Sequence, residues 1–240
     1  MHEDLASQAG GVGSLAEPTR RALYLYVAAQ PDAVGREEAA GAVGVPAHTA
    51  KFHLDRLVEE GLLDVEYRRL TGRSGPGAGR PAKLYRRSAR EFSVSLPGRR
   101  YDLAGDVLAA AVDRAGRTGV PVAQAVRDVA AETGRQIAAA ADVGEGDDLD
   151  RTAEVLGRYG YEPRTTGGEV CLANCPFDRL ATRHTELVCG MNLALIGGVV
   201  EELEADATPE LAPQPGFCCV RVREGRRGRG PSSGRSPETR

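Results

Sequence analysis

HTAKFHLDRLVEEGLLDVEYRR, residues 48–69, is the stretch that decides the fold of the N-terminal part of the chain. Apolar residues recur here at helical spacing and predict one buried helix face: Ala47, Ala50, Leu54, Leu57 and Val58. The helix is expected to begin after Pro46 and to end at Gly61. Residues 62–70 then alternate between apolar and polar side chains, which predicts a strand.

Outward from this stretch, the sequence predicts two earlier helices and one later strand. The helices cover 14–29, with Pro18 in the first turn, and 36–43, followed by a turn at Gly44. A Gly-rich loop over 71–80 leads into a return strand over 83–87. The order helix, helix, turn, helix and basic hairpin predicts a winged helix-turn-helix domain.

The exposed face of the third helix carries groups that suit the major groove of double-stranded DNA. Its candidate contacts are His48, Thr49, Lys51, Phe52 and Arg56. The phenyl ring can contact a thymine methyl group, and the polar side chains can bond base edges or phosphates. His53, on the flank, is expected to pack or to contact a phosphate rather than to bind a metal.

The hairpin adds a cluster of cations that phosphates would neutralise. The candidate DNA contacts on it are Arg68, Arg69, Arg73, Arg80 and Lys83, with Arg86 and Arg87 beside them. The alternative is a solvated charge run in an Arg-rich chain, because lysine occurs only at Lys51 and Lys83. The combination of the helices with the basic hairpin favours DNA binding.

The remainder divides into further segments by composition. We expect a DNA-binding domain over 1–90, a linker with dimerisation helices over 91–145, a cysteine-containing sensor domain over 146–222 and a disordered basic tail over 223–240. The candidate dimer helix covers 101–115, and a second helix covers 120–141. The apolar stripe of the candidate dimer helix contains Leu103, Val107, Leu108, Ala111 and Val112, which could equally belong to an intradomain core.

The predicted sensor domain mixes helices and strands. We expect a helix over 150–159, a strand over 163–171 and a closing strand over 217–222. A long helix over 177–204 is expected to break near Gly190 or at Gly197–Gly198. The fold class is therefore α+β and mainly helical, with an N-terminal winged helix-turn-helix and a C-terminal mixed α/β sensor domain.

Composition and charge narrow the possible functions. A net charge of −3 permits a local basic DNA-binding patch. The sequence lacks a long apolar run and a basic region leading into an apolar stretch, so we expect a cytoplasmic protein with no membrane partner. It also lacks a CxxC pair and a phosphate-binding glycine motif, so we do not expect an enzyme. A thiol oxidoreductase is a remote alternative.

Five cysteines lie in the last third of the chain: Cys171, Cys175, Cys189, Cys218 and Cys219. In a reducing compartment they favour metal or redox chemistry over disulfides. Because Cys218 and Cys219 are adjacent on a predicted strand, at most one is expected to face inward with Cys175 and Cys189. An iron–sulfur cluster, zinc, a bare redox thiol site and inert buried cysteines all remain open.

Two groups of motifs carry a family resemblance. HTAKFHLDRLVEEGLLDVEYRR with GRPAKLY resembles the winged-helix regulators of the ArsR-like group. NCPFDRLATRHTELVC and GFCCVRV extend the resemblance to the SufR-like branch, whose members repress iron–sulfur cluster assembly genes.

The resemblance implies a repressor with a cluster held by widely spaced cysteines. Cys175, Cys189 and Cys218 fall at the first, second and fourth expected ligand positions, whereas the third falls at about Leu203, which cannot ligate iron. The fourth ligand is then expected from Cys219, or else from Cys171, His184, Glu202, Glu204 or a small molecule. We expect the cluster ligands to be Cys175, Cys189, Cys218 and Cys219.

The sequence therefore predicts a homodimeric transcription regulator that binds double-stranded DNA and senses iron–sulfur or redox status. Dimers are expected because operators commonly contain two half-sites. The main alternative is a winged-helix regulator that responds to a small apolar or acidic molecule without a metal.

Overall fold

The structure, a computed structural model, describes residues 2–69 and 81–225. Arg73 and Arg80, the predicted loop over 71–80 and residues 226–240 of the predicted tail lie outside these ranges. The chain divides into two compact units, 1–94 and 95–240, and each is considered by itself.

The N-terminal unit is a helical cluster with a small antiparallel sheet. Its helices are α1 (His2–Ser14), α2 (Pro18–Ala28), α3 (Arg36–Val43) and α4 (Ala47–Glu59). Its strands are β1 (Val34–Gly35), β2 (Leu63–Arg68) and β3 (Ala82–Arg87), in the order β1-β3-β2. Leu23, Leu54, Leu57 and Tyr85 are almost completely buried in its core.

The helix-turn-helix itself follows from local signals. Gly44 ends α3 in the left-handed conformation, with φ of 75°, which glycine adopts without strain. Ala50, Leu54 and Leu57 form the buried face of α4 as their spacing predicts, whereas Ala47 in the first turn is exposed.

The helix predicted over 14–29 begins later, at Pro18. Glu17 caps it, because its carboxylate accepts hydrogen bonds from the backbone N–H groups of Thr19 (3.0 Å) and Arg20 (2.6 Å). The preceding helix α1 was not predicted, and tertiary contacts anchor it: the Oγ of Ser7 accepts from Arg90 at 2.7 Å.

The second unit contains helices packed with a four-stranded antiparallel sheet. The helices are α5 (Tyr101–Thr118), α6 (Val122–Ala139), α7 (Asp148–Arg158), α8 (Asp178–Arg183) and α9 (Thr185–Glu202). The strands are β4 (Pro163–Thr166), β5 (Glu169–Leu172), β6 (Ala207–Leu211) and β7 (Val220–Glu224), in the order β4-β5-β7-β6. One core joins α5 and α6 with the cysteine-bearing segment.

Two strand predictions in this unit were wrong. The segment 163–171 is a hairpin rather than one strand, because Gly167 and Gly168 both adopt positive φ and reverse the chain. The closing strand runs over Val220–Glu224, so Arg223 pairs with Thr208 and does not belong to a disordered tail.

The expected break in the last long helix was also misplaced. Helix α9 runs unbroken through Gly190, Gly197 and Gly198, and the break lies at His184, between α8 and α9. The reason is a close crossing of α6 and α9. A Cβ atom on Gly198 would overlap the carbonyl oxygen of Ala131, and one on Gly134 would overlap that of Leu195. No helix in the described ranges is long and apolar enough to cross a membrane.

Candidate DNA interface and thiol site

The outer face of α4 presents most of the predicted DNA-reading groups to solvent. His48, Lys51, Phe52 and Arg56 are exposed and Thr49 is half-buried. The ring of Phe52 is 65% exposed although it is large and apolar. This ring is therefore available for an apolar contact such as a thymine methyl group.

His53 is turned away from this face. Its side chain is only 12% exposed, and its Nδ1 accepts a hydrogen bond from the Nε of Arg20 at 3.4 Å and lies 3.5 Å from Glu17. His53 therefore packs α4 against the start of α2, in agreement with its expected packing role.

Several candidate cations are paired with carboxylates of the same unit. Arg56 contacts Glu59 at 3.1 Å and also Glu60, and Arg68 contacts Glu66. Exposed ion pairs of this kind contribute about 0–1 kcal/mol. Phosphate groups can therefore replace these carboxylates with little loss of free energy. Arg69 is exposed directly after β2.

Asp55 connects the reading helix to the hairpin, a role that the sequence analysis missed. Its carboxylate accepts hydrogen bonds from Lys51 at 2.9 Å, Lys83 at 2.5 Å and the hydroxyl of Tyr85 at 2.8 Å. Lys83 and Tyr85 belong to β3, so the contact fixes α4 against that strand. The only sequence signal was the i,i+4 spacing of Lys51 and Asp55.

The same contacts shift the pKa values of Asp55 and Tyr85. Partial burial raises the pKa of Asp55, but the hydrogen bonds from Lys83, Lys51 and Tyr85 outweigh it and lower the pKa to about 2. Burial and the bond to Asp55 raise the pKa of Tyr85. Asp55 is thus charged over the whole range in which DNA binding would be measured.

We expect the substitution Asp55→Asn to lower the stability of the N-terminal unit by about 1–2 kcal/mol near neutral pH. The pKa of Asp55 is lower in the folded state than in the unfolded state. Its stabilising effect is therefore complete above about pH 4 and is lost as the pH falls towards about 2. Hydrogen exchange of the α4 amides measures this stability, and the two proteins should converge in acid.

Glu59→Gln is the matched control, because Glu59 pairs with Arg56 on the exposed side of the same helix. It should change the stability by less than about 0.5 kcal/mol. An Asp55→Asn protein that remains less stable by a constant amount down to pH 2 would contradict the role assigned to the charge.

The second unit brings together four cysteines from three separate segments of the chain. Cys175 lies in the loop before α8, Cys189 lies in α9, and Cys218 and Cys219 directly precede β7. The neighbouring thiols shift one another's pKa through hydrogen bonding: Cys218 acts on Cys175, Cys175 and Cys219 act on Cys218, and Cys219 acts on Cys189. The four thiols therefore lie close together, and this group is called here the thiol row.

The expectation that Cys218 and Cys219 alternate on a strand was wrong, because the strand begins after them. That alternation applies to residues within a strand, and both cysteines precede the first residue of β7, Val220. The irregular backbone allows both sulfurs to reach the row. Cys218 is buried and Cys219 is half-buried.

The surroundings of Cys175 and Cys218 favour protonated sulfur. Hydrogen bonding to Cys218 and burial raise the pKa of Cys175 well above its usual range. The bond to Cys175 lowers the pKa of Cys218, but the bond to Cys219 and burial raise it to about 11. Free thiols here are weak nucleophiles, and a bound metal group would have to displace their protons.

A buried polar pair also contacts this row. The Nδ2 of Asn192 donates a hydrogen bond to the sulfur of Cys218 at 3.2 Å, and its Oδ1 accepts one from the hydroxyl of Tyr161. Asn192 and Tyr161 are each 1% exposed. The amide is thereby oriented with its donor towards sulfur, the kind of contact that stabilises thiolate ligands.

Other positions considered as ligands lie elsewhere. Cys171 projects from β5 towards Glu169, 3.5 Å away, and burial and Glu169 raise its pKa. Leu203 is the C-terminal cap of α9, fourteen residues beyond Cys189, which corresponds to about 21 Å along the helix axis. Glu202 is almost as far from Cys189, and Glu204 lies beyond the end of the helix. Position 203 therefore cannot share a site with Cys189.

The described residues do not meet the requirements of a site for a single metal ion. Within residues 2–69 and 81–225, no group of three or more His, Cys, Asp or Glu side chains is arranged to hold one metal ion. Zinc requires four ligands that converge on one atom.

A separate open cleft of about 470 Å³ lies at the start of α9. It is lined by Ala123, Arg127, His184, Thr185, Glu186, Leu187 and Gly190. His184 thus belongs to this cleft and is exposed to solvent. The volume is sufficient for a small molecule.

Comparisons with known proteins agree with the N-terminal geometry. Residues 15–66 match the model of a family described as a helix-turn-helix domain, and this range extends from just before α2 into β2. No curated protein and no solved structure shows significant similarity to the chain. The match and the exposed face of α4 together indicate a DNA-binding regulator of the helix-turn-helix type.

Proposed function

We propose that the chain is a transcriptional repressor of the SufR-like branch that binds duplex DNA as a homodimer and responds to the iron–sulfur or redox state of its thiol row. The observation that carries this proposal is the meeting of Cys175, Cys189, Cys218 and Cys219 in one place. A shared ligand would need thiols from separate segments to meet in this way.

The DNA-binding half of the proposal depends on α4 and the β2–β3 hairpin. The exposed ring of Phe52 and the side chains of His48, Thr49, Lys51 and Arg56 would read the major groove. Arg68, Arg69 and Lys83 would contact phosphates beside the groove. Asp55 would hold the helix and hairpin at a fixed spacing while they bind.

The sensing half depends on what the thiol row can hold. An iron–sulfur cluster would be ligated by Cys175, Cys189, Cys218 and Cys219. Its presence would depend on the supply of iron and on oxidants. The cysteines lie on a loop, on α9 and before β7, so binding would fix these elements relative to one another. The presence of the cluster can control DNA affinity only if the protein with the cluster and the protein without it bind DNA with different free energies.

Dimerisation would use the outer face of α5. The predicted stripe divides in the structure: Val107 and Ala111 are buried in the core, whereas Val112 is exposed and Leu108 is half-buried. We propose that Leu108 and Val112 of two copies pack together. Two-fold pairing would present two α4 helices to two half-sites of one operator.

The test is to compare anaerobically purified wild type with the variant in which Cys175, Cys189, Cys218 and Cys219 are all replaced by serine. We expect wild type to contain iron and sulfide and to show visible charge-transfer absorbance, and the variant to lack all three. Wild-type affinity for a duplex selected from a randomised pool should differ at least about 10-fold between loaded and metal-free protein. The variant should bind with one affinity.

Cys171→Ser is the matched control, because Cys171 lies outside the thiol row and should leave iron content unchanged. Wild type without iron or sulfide would exclude the cluster, and equal DNA affinities in every thiol state would exclude sensing by the row. A monomeric mass for the DNA-bound protein in light scattering would exclude the dimer.

A second candidate function is favoured by the cleft at the start of α9. Arg127 and His184 on its wall could bind a small acidic molecule, which would make the protein a ligand-responsive regulator without a metal. The serine variant distinguishes the two functions, because a cleft ligand would still change its DNA affinity.

A further inference from the structure

The chain enters the second unit along the loop that carries Cys175. The backbone N–H of Arg100 donates to the carbonyl of Pro176 at 3.1 Å, and the Nδ2 of Asn174 donates to the carbonyl of Gly98 at 2.8 Å. The entry segment, residues 95–100, is thus hydrogen-bonded to both sides of Cys175. No sequence pattern indicated this contact, because the partners are about 75 residues apart.

Arg99 strengthens the contact with its side chain. Its Nη1 donates to the carbonyl oxygen of Cys175 at 2.9 Å and to the Oδ1 of Asn174, and its Nη2 lies 3.7 Å from Asp178. Hydrogen bonds from a charged donor are among the stronger ones in proteins. One guanidinium therefore binds the backbone of the proposed cluster ligand and the side chain that precedes it.

Burial distinguishes this contact from an ordinary surface ion pair. Asn174 is 7% exposed and the side chain of Arg99 is 19% exposed. Asn174 also donates to the carbonyl of Gly160 at 2.6 Å, so every polar atom of its amide is used. Displacing the loop would leave partly buried donors and acceptors without partners, which is energetically unfavourable.

We propose that Arg99 and Asn174 form a latch that transmits the state of the thiol row to the entry segment and thereby to DNA affinity. The inference depends on the proposed function, in which the thiol state controls DNA binding. A change at the sulfur of Cys175 that moves its backbone must either move Arg99 with it or break the latch. The covalent connection through residues 95–100 then carries this change to the DNA-binding unit.

Arg99 is therefore a positioning residue, and its removal should uncouple the thiol row from DNA without emptying it. In Arg99→Met we expect iron and sulfide content to match wild type. The ratio of DNA affinities between protein reconstituted with ferrous iron and sulfide and the reduced, metal-free protein should fall from at least about 10-fold to less than about 2-fold. The probe is the duplex selected by wild type from a randomised pool.

Arg100→Met is the matched control. The guanidinium of Arg100 contacts Asp102 at 3.0 Å and stacks over the ring of Tyr159, so only its backbone takes part in the latch. This variant should keep the wild-type ratio. Hydrogen exchange provides a direct readout: the backbone amide at position 100 should differ in protection between the two thiol states in wild type and Arg100→Met, but not in Arg99→Met.

The outcomes separate the latch from the proposed function. Wild type with equal affinities in both states overturns the proposed function and the latch together. Two results overturn the latch alone. In one, Arg99→Met keeps the wild-type ratio of DNA affinities between the two thiol states. In the other, Arg100→Met loses this ratio as fully as Arg99→Met does. If Arg99→Met loses iron or unfolds, Arg99→Lys decides, because lysine keeps the charge without the two-pronged geometry. A folded, iron-containing Arg99→Lys protein must show a reduced ratio, and a full ratio overturns the latch.

Discussion

Replacing Gly198 by alanine is expected to destabilise the second unit by about 3 kcal/mol or more. The added Cβ would overlap the carbonyl oxygen of Ala131 and lie 3.1 Å from its Cα. Both obstacles are backbone atoms of α6, so no side-chain rotation can remove the overlap and the two helices must separate. Urea unfolding of the full chain measures the loss, and hydrogen exchange of the α6 amides assigns it to this unit.

Gly190→Ala is the matched control in the same helix. A Cβ at Gly190 would meet no atom within 4 Å, so only the helix propensity changes. We expect this variant to be as stable as wild type or more stable by about 0.5–1 kcal/mol. Equal effects of the two substitutions would show that the close crossing of α6 and α9 does not limit the space at Gly198.

Phe52→Glu is expected to weaken binding to the selected duplex by roughly 100-fold, or about 2.7 kcal/mol. The substitution removes an apolar ring from the proposed reading face and places a carboxylate against the phosphates. Because the ring of Phe52 is 65% exposed, the folded unit should change in stability by no more than about 0.5 kcal/mol. Binding titrations at one fixed salt concentration give the affinity.

Leu25→Glu is the corresponding control, since Leu25 is 59% exposed on α2 of the same unit and lies outside the proposed reading face. It adds the same charge and should lower the affinity less than about 3-fold. A Phe52→Glu protein that binds DNA like Leu25→Glu would show that the face centred on Phe52 does not read the duplex.

The exposed face of α4 and the contacts of Asp55 differ in how far the local sequence predicts them. The face of α4 could be deduced from residues 48–69, because a helix repeats every 3.6 residues and separates its buried and exposed sides within a few turns. The region matched by the helix-turn-helix family contains this helix, so the local pattern and the family agree. The hydrogen bonds of Asp55 with Lys83 and Tyr85 could not be deduced, because these two residues lie on a strand about 30 residues away.

Glycine shows where local rules fail. By propensity, Gly190 and Gly197–Gly198 suggest a break in a helix, since each glycine costs about 1 kcal/mol relative to alanine. In α9 the helix continues, because the absence of side chains at Gly134 and Gly198 lets two backbones come into contact along a large buried surface. Packing between distant segments outweighs the local preference, and sequence spacing contains no signal of it.

The sequence by itself determined the helix-turn-helix and the exposed side of α4, because turns and helical periodicity act between residues that are neighbours along the chain. Only the tertiary structure decided that Cys218 and Cys219 both lie beside the other two cysteines, that Leu203 lies about four turns from Cys189, and that Arg99 binds the loop of Cys175. Those contacts join segments separated by tens of residues. Their geometry depends on how α9, β7 and the entry segment pack around one core, which no local pattern specifies.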